Sequence, residues 1–176
     1  MMTLNELALR RESCRAYQAD KAVPHELLEE ITKTAILSPN AGNGQSWRFY
    51  ICEGETAKKV ASLCMAVPGN NAWAPECPAY IVISSAEKFA NAVNGKPRDL
   101  RIADAGIASA YLTLAAAEKG LDTCIIGSAD EEGLKSLLGV APERRVHLVV
   151  AVGYSRKAPS LKKDRLPFDE LVTVCR

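Results

Sequence analysis

Three arginines and a serine fall within six residues near the start of the chain, in Arg10-Arg11-Glu12-Ser13-Cys14-Arg15. Guanidinium groups bind phosphate in bidentate fashion, so the cluster reads as an anion site, with a solvated charge cluster as the competing reading. A second stretch, Ser38-Pro39-Asn40-Ala41-Gly42-Asn43-Gly44-Gln45-Ser46-Trp47, is a loop by composition. Asn40 and Asn43 beside Gly42 and Gly44 bring amide side chains and bare backbone N–H groups to one place, which suits close approach to a ligand better than a plain connector. Third, Ile126-Gly127 closes a short apolar run with a glycine turn. A glycine there permits backbone angles that a side chain resists and leaves room for a flat ring.

Other reactive residue types argue for less. The cysteines at 14, 52, 64, 77, 124 and 175 include no Cys-x-x-Cys pair, so neither a metal site nor a redox dithiol is expected. Cys52, Cys64 and Cys124 read as small core residues. Arg11 and Arg15 flank Cys14 and would favour its thiolate, although packing beside a site is the preferred reading. His25 and His147 lie far apart, one opening a helix and one in an apolar strand, which weakens any Ser-His or Cys-His hydrolase reading.

The element that must position these residues is the stretch from Asp99 to Leu121. Leu100, Ala103, Ile107, Ala110, Leu114, Ala117 and Leu121 recur at the helical period, and Asp104 is the only charge between Ile102 and Ala117. A helix apolar on every face is expected to be buried on every face, and its small side chains let neighbours approach closely, a second copy of the chain among them. Tyr111 then belongs to core or interface. Gly120 stops the helix, and a buried strand runs through Asp122 to Ile126. Ser128 and Glu131 have capping-box spacing ahead of a short helix at Leu134, Leu137 and Leu138 that Gly139 closes.

Upstream, Thr3 and Glu6 form a capping box for a helix with Leu4, Leu7 and Ala8 on one face. Pro24 opens a second helix through Leu28, Ile31 and Ala35. Strands are expected at Arg48–Cys52, Ala79–Ser84 and Val146–Val152, and a helical face at Ala57, Val60, Ala61, Cys64 and Val67. Trp73 to Pro78 is irregular, leaving Trp73 to stack on a substrate or fill the core. Asn91 to Arg98 reads as a loop, and from Ser155 onward the chain cannot bury much of itself.

With 176 residues, 48% of them hydrophobic, the chain suits one folded domain. Its 22 Lys+Arg against 21 Asp+Glu leave a net charge of +1, which suggests neither a nucleic-acid surface nor a polybasic membrane patch. The N-terminal residues do not resemble a signal peptide, so a cytoplasmic address is the expectation. Four strands with longer helices point to a mixed α/β or α+β domain, and the absence of Gly-x-Gly-x-x-Gly makes a Rossmann fold a poor reading.

Four blocks taken together, RRESCRAY, SPNAGNGQSWRF, DAGIASAYLTLAAAEKGLDTCIIG and KKDRLPFDELV, resemble the FMN-dependent nitroreductase family in order and spacing across nearly the whole chain. The resemblance implies an α+β fold with a central, mostly antiparallel sheet flanked by helices. It implies an intertwined homodimer with two FMN molecules at the interface: residues 1–154 form the FMN-binding domain, and residues 155–176 extend it over the partner. Carried over, it puts Arg11, Ser13 and Arg15 on the cofactor, with Arg11, Lys163 and Arg165 at the phosphate and Arg15 nearer the pyrimidine edge. Pro39, Asn40, Asn43 and Gln45 match the loop lining ribityl chain and ring, and Ile126-Gly127 the turn near flavin N5. Glu12 stands where the family often has a basic residue, so only its main chain is expected to serve the ligand.

The implied activity is reduction of the flavin by NAD(P)H followed by reduction of a nitroaromatic, quinone or similar small acceptor, by a ping-pong mechanism. The flavin carries that chemistry, so no catalytic side chain is named. The alternatives are a specialised relative (reductive dehalogenase, flavin-fragmenting enzyme or small-metabolite dehydrogenase) and a flavin carrier or redox sensor without turnover.

Overall fold

The computed structural model describes residues 2–86, 90–93 and 96–176. Strands β1 (Trp47–Glu53), β2 (Ala79–Ser85), β5 (Asp122–Ile126) and β6 (Arg145–Gly153) form one sheet in the order β1-β2-β6-β5, with every neighbouring pair antiparallel. The fold is α+β, as the resemblance implies. β2 is buried along its whole length, as a strand with a helical layer on each face must be. One layer combines α2 (His25–Ile36) and α4 (Arg101–Glu118), with Leu28, Ile31, Ala105, Ala108, Leu112 and Ala116 packed on Ile81, Ile83, Val150 and Val152. On the other face α3 (Gly54–Cys64) and α5 (Glu131–Leu138) bring Val60, Ala61 and Leu134 against Val82, Val149 and Ala151.

The capping box forms at the start of α1 (Leu4–Arg10), where the Thr3 side chain accepts from the Glu6 N–H and the Glu6 carboxylate returns to Thr3 N–H. α4 ends as its glycine predicts. Gly120 has φ +79°, Leu121 N–H donates to the Ala116 carbonyl and Gly120 N–H to that of Ala117, a Schellman closure. Gly153 is needed for space rather than for angle, since a Cβ would lie 2.7 Å from Tyr17 Cδ1 and 2.8 Å from Pro78 Cδ.

Four expectations need correction. The inward face of α4 is Ala105, Ala108, Leu112 and Ala116, whereas Ala103, Ile107 and Ala110 are exposed in the single chain together with Ile102 and Tyr111. α5 is capped by Asp130, which accepts from Gly133 N–H, because the Glu131 carboxylate is taken by Val146 N–H and Arg145. Val67 lies past the end of α3 and is exposed. Part of the expected loop at 91–98 is paired instead, with β3 (Ala90–Val93) antiparallel to β4 (Lys96–Asp99), and residues 94–95 lie outside the described residues.

All six cysteines are free, five buried and Cys175 exposed. Trp73 is half-buried and packs on the core against Tyr17, with ring centroids 5.7 Å apart. His25 is structural, its Nδ1 2.6 Å from a Glu53 carboxylate oxygen. The tail is largely exposed, and its only helix, α6 (Phe168–Leu171), buries nothing. Among the described residues no helix is long and apolar enough to cross a membrane.

Candidate functional site

The basic cluster follows α1 and is fixed by main-chain pairing along β5. Ser13 bridges Thr123 in parallel, and Cys14 N–H donates to the Thr123 carbonyl at 2.9 Å. Arg10 is spent on anchoring: its guanidinium donates to the Leu121 carbonyl and lies 3.8 Å from the Asp122 carboxylate. Arg11 and Ser13 instead face the tail. With Glu12, Lys162, Lys163, Asp164 and Arg165 they line an open cleft of about 210 Å³, in which four cationic side chains outnumber two anionic ones. Lys163 Nζ donates to the Arg11 carbonyl at 2.7 Å, tying the two halves of the cleft together across 152 residues.

Loss of solvent, and next the Arg11 charge, pull the Lys163 ammonium below its usual pKa. A cation held reluctantly beside other cations is one that a phosphate would stabilise. Glu12 holds the tail by its side chain, its carboxylate accepting from Ser160 N–H at 3.3 Å and Ser160 Oγ–H at 3.1 Å. Arg15 is exposed and does not line the cleft. Its charge acts one residue farther along β5, on Cys124, whose thiol burial raises and Arg15 pulls back.

β5 is an edge strand, so one side of its main chain has no ladder partner beyond the short bridge at Ser13. The outward Thr123 carbonyl sets the alternation of that ladder, which turns the main chain of Ile125, and by continuation Gly127, to the open edge. From Thr123 to Gly127 this edge runs about 13 Å, long enough for an extended ligand with a phosphate tail. Gly127 is exposed, and a Cβ built on it meets nothing within 4 Å. Its φ is not left-handed, so the backbone does not itself require glycine; what remains of that expectation is open space for a ring.

The amide loop is a separate construction. Gly42, Asn43 and Gln45 have φ of +57°, +52° and +45°, a conformation that few side-chain-bearing residues, Asn among them, adopt with any ease. Asn40 Oδ1 accepts from Gln45 N–H at 2.9 Å, and Gln45 Nε2 donates to the Asn43 carbonyl at 3.3 Å. Asp104, on α4, accepts from Ala41 N–H at 3.0 Å, and Arg144 donates to the Ser46 carbonyl at 2.7 Å. Neither Asp104 nor Arg144 was picked out as a site residue from sequence. Asp104 had a signal, as the lone charge in an apolar helix; Arg144 had none. Along this stretch three buried polar atoms, Ser38 Oγ, Ser46 Oγ and Trp47 Nε1, have no partner among the described residues.

The structure therefore joins Arg11, Ser13, Lys163 and Arg165 in one cleft, with Arg15 and Ile126-Gly127 farther along the same strand. It does not join them to the loop of Pro39, Asn40, Asn43 and Gln45. The loop is pinned to the first turn of α4 and the basic cluster to the chain just past its end, with an 18-residue helix of about 27 Å between them. Cationic grip, open edge and amide loop each fit one part of a phosphate-tailed flavin, but a single chain does not fold them around one ligand.

A family model described as Nitroreductase family matches residues 8–70 and 65–154. A protein of Archaeoglobus fulgidus, provisionally named an NADH dehydrogenase/NAD(P)H nitroreductase, is 29% identical over 150 residues, covering 83% of this chain and 82% of that one. A solved nitroreductase family protein of Clostridium difficile 630 is 26% identical, with a TM-score of 0.83 over 98% of both chains. An FMN-dependent nitroreductase of Clostridium difficile R20291 is 25% identical, with a TM-score of 0.75 over 96% of this chain and 94% of that one.

Proposed function

The chain belongs to the nitroreductase family, and from that premise we propose that it is an FMN-dependent oxidoreductase using NAD(P)H to reduce a small acceptor such as a nitroaromatic or quinone. The observation that carries this reading is the convergence of Arg11, Ser13, Lys163 and Arg165 at one end of the open β5 edge. FMN, when bound, supplies the hydride-accepting and electron-donating chemistry that no side chain here provides. Arg11, Lys163 and Arg165 hold its phosphate by charge-assisted contacts, with the Ser13 hydroxyl beside them. The main chain at Ile126-Gly127 lies against the ring and orients it, and the nearby Arg15 charge favours a ring that gains electrons. Pro39, Asn40, Asn43 and Gln45 line the ribityl chain and ring.

The separation of amide loop from basic cleft supports a homodimer in which the loop of one protomer completes the cleft of the other. Two further features agree with it. The outer face of α4 leaves Ile102, Ile107 and Tyr111 exposed, and the tail leaves Leu161, Leu166, Phe168, Leu171, Val172 and Val174 exposed, apolar side chains that a second copy would cover. In this reading residues 155–176 extend the domain of residues 1–154 and wrap the partner. The nicotinamide and the acceptor use one face of the ring in turn, which gives ping-pong kinetics.

The test begins with colour. Purified protein is expected to be yellow, to carry about one FMN per chain, and to bind FMN more tightly than riboflavin because the cleft grips the phosphate. Steady-state turnover of NADH with a nitroaromatic should give parallel double-reciprocal lines. Equal affinity for the two flavins removes the phosphate assignment, intersecting lines remove the shared face, and a fully active monomer in sedimentation removes the composite site.

A further inference from the structure

Asp104 is 5% exposed, in the first turn of α4, and is the only charged residue between Ile102 and Ala117. Burying a carboxylate is costly unless it is hydrogen-bonded or otherwise compensated. The charge has two local compensations: the partial positive charge of the helix N-terminus, and the Ala41 N–H that donates to its Oδ1 at 3.0 Å. That N–H precedes the left-handed residues Gly42, Asn43 and, after a right-handed Gly44, Gln45, and Arg144 holds the Ser46 carbonyl just beyond them. The loop is thus clamped at both ends by a buried and a half-buried ionic side chain from distant elements, and along the same stretch Ser38 Oγ, Ser46 Oγ and Trp47 Nε1 are buried with no partner among the described residues.

We propose that Asp104 is a positioning residue for the flavin: with Arg144 as its counterpart, it locks the amide loop in the shape that presents Asn40, Asn43 and Gln45 to ring and ribityl chain. The inference rests on the reading of that loop as flavin-lining. It has a consequence that a general packing role lacks. The clamp lies at the opposite end of α4 from the phosphate grip, so loosening it weakens contacts shared by FMN and riboflavin and leaves the phosphate's contribution intact.

The experiment titrates FMN and riboflavin into full-length apoprotein and reads flavin fluorescence quenching. Asp104→Ala is expected to weaken both flavins by the same factor, about tenfold or more for a lost hydrogen bond to a charged acceptor, so that the FMN-to-riboflavin affinity ratio stays at the wild-type value. Asp104→Asn, which keeps an acceptor for Ala41 N–H, is expected to recover most of the loss. Binding of both flavins within twofold of wild type in Asp104→Ala overturns the proposal. So does a loss confined to FMN, or an Asn variant as weak as the Ala variant. If Asp104→Ala does not fold, Arg144→Met takes its place: equal loss of both flavins supports the clamp, and unchanged binding overturns it. A wild-type protein that binds neither flavin overturns the cofactor reading itself, and this inference with it.

Discussion

The two ends of α4 carry opposite kinds of binding surface. At its C-terminal end the cleft of Arg11, Lys163 and Arg165 is built from long charged side chains, none of the three on left-handed backbone, although Leu161 beside the cleft has φ +55°. At its N-terminal end the amide loop is built from left-handed backbone held by two ionic clamps, with short amide side chains along it. Charge recognises a phosphate at several ångströms and tolerates some slack. A ring must be met by shape, which requires a backbone fixed in advance. The division of labour predicts that the two ends fail in different ways.

The largest effect is expected from breaking the charged end alone. Each charge-assisted hydrogen bond contributes about 1.5–3 kcal/mol, so Arg11→Ala with Lys163→Ala should weaken FMN by roughly 10² to 10⁴-fold. Riboflavin affinity should barely change, and equilibrium titration of both ligands separates the outcomes. A parallel fall in riboflavin would erase the distinction between the two ends.

Gly127 sharpens the comparison from the middle of the site. Because its φ is ordinary and a Cβ meets nothing, Gly127→Val should leave the melting temperature nearly unchanged. The same side chain enters the space assigned to the ring, where misplacement by ~1 Å can cost on the order of 100-fold. Stopped-flow reduction by NADH, set beside a thermal melt, checks this; a variant that reduces at the wild-type rate makes the turn a plain connector.

The smallest effect is one of pH. Lys163 titrates below the usual lysine range because burial and the Arg11 charge disfavour its proton. The phosphate contact needs that proton, so FMN affinity should fall as pH rises through the lowered value, by about tenfold for one charge-assisted contact. Riboflavin affinity should stay flat over the same range, and Lys163→Met should abolish the FMN slope.

What was legible in the sequence was what is local in the chain. The Thr3-Glu6 box, the stop at Gly120 and the apolar strands need only neighbours a few residues away, and each forms as read. The inward face of α4 was not legible, because a helix of small apolar residues has no polar stripe to orient it: the 103/107/110 row and the 105/108/112/116 row look alike until the sheet selects one. Likewise Asp130 and Ser128 are rival caps two residues apart, and the choice is made by Glu131 being drawn to β6. The residues of the basic cleft could be named one by one, and their meeting came from the resemblance. That the amide loop stands a helix length away is a property of topology, which no spacing of residues reports.

The distribution of thiols gives the experimenter a tool. Burial pushes Cys52, Cys64 and Cys77 up to about 12, leaving almost no thiolate to react at neutral pH. Cys175 alone is in solvent, one residue from the end of the tail. The protein therefore carries a natural attachment point for a dye on the very segment whose docking is at issue. One fluorophore per chain, added without any mutation, becomes a gauge of tail docking as chains are diluted apart or FMN is titrated in. Slow consumption of further thiols under native conditions would measure how often the core opens.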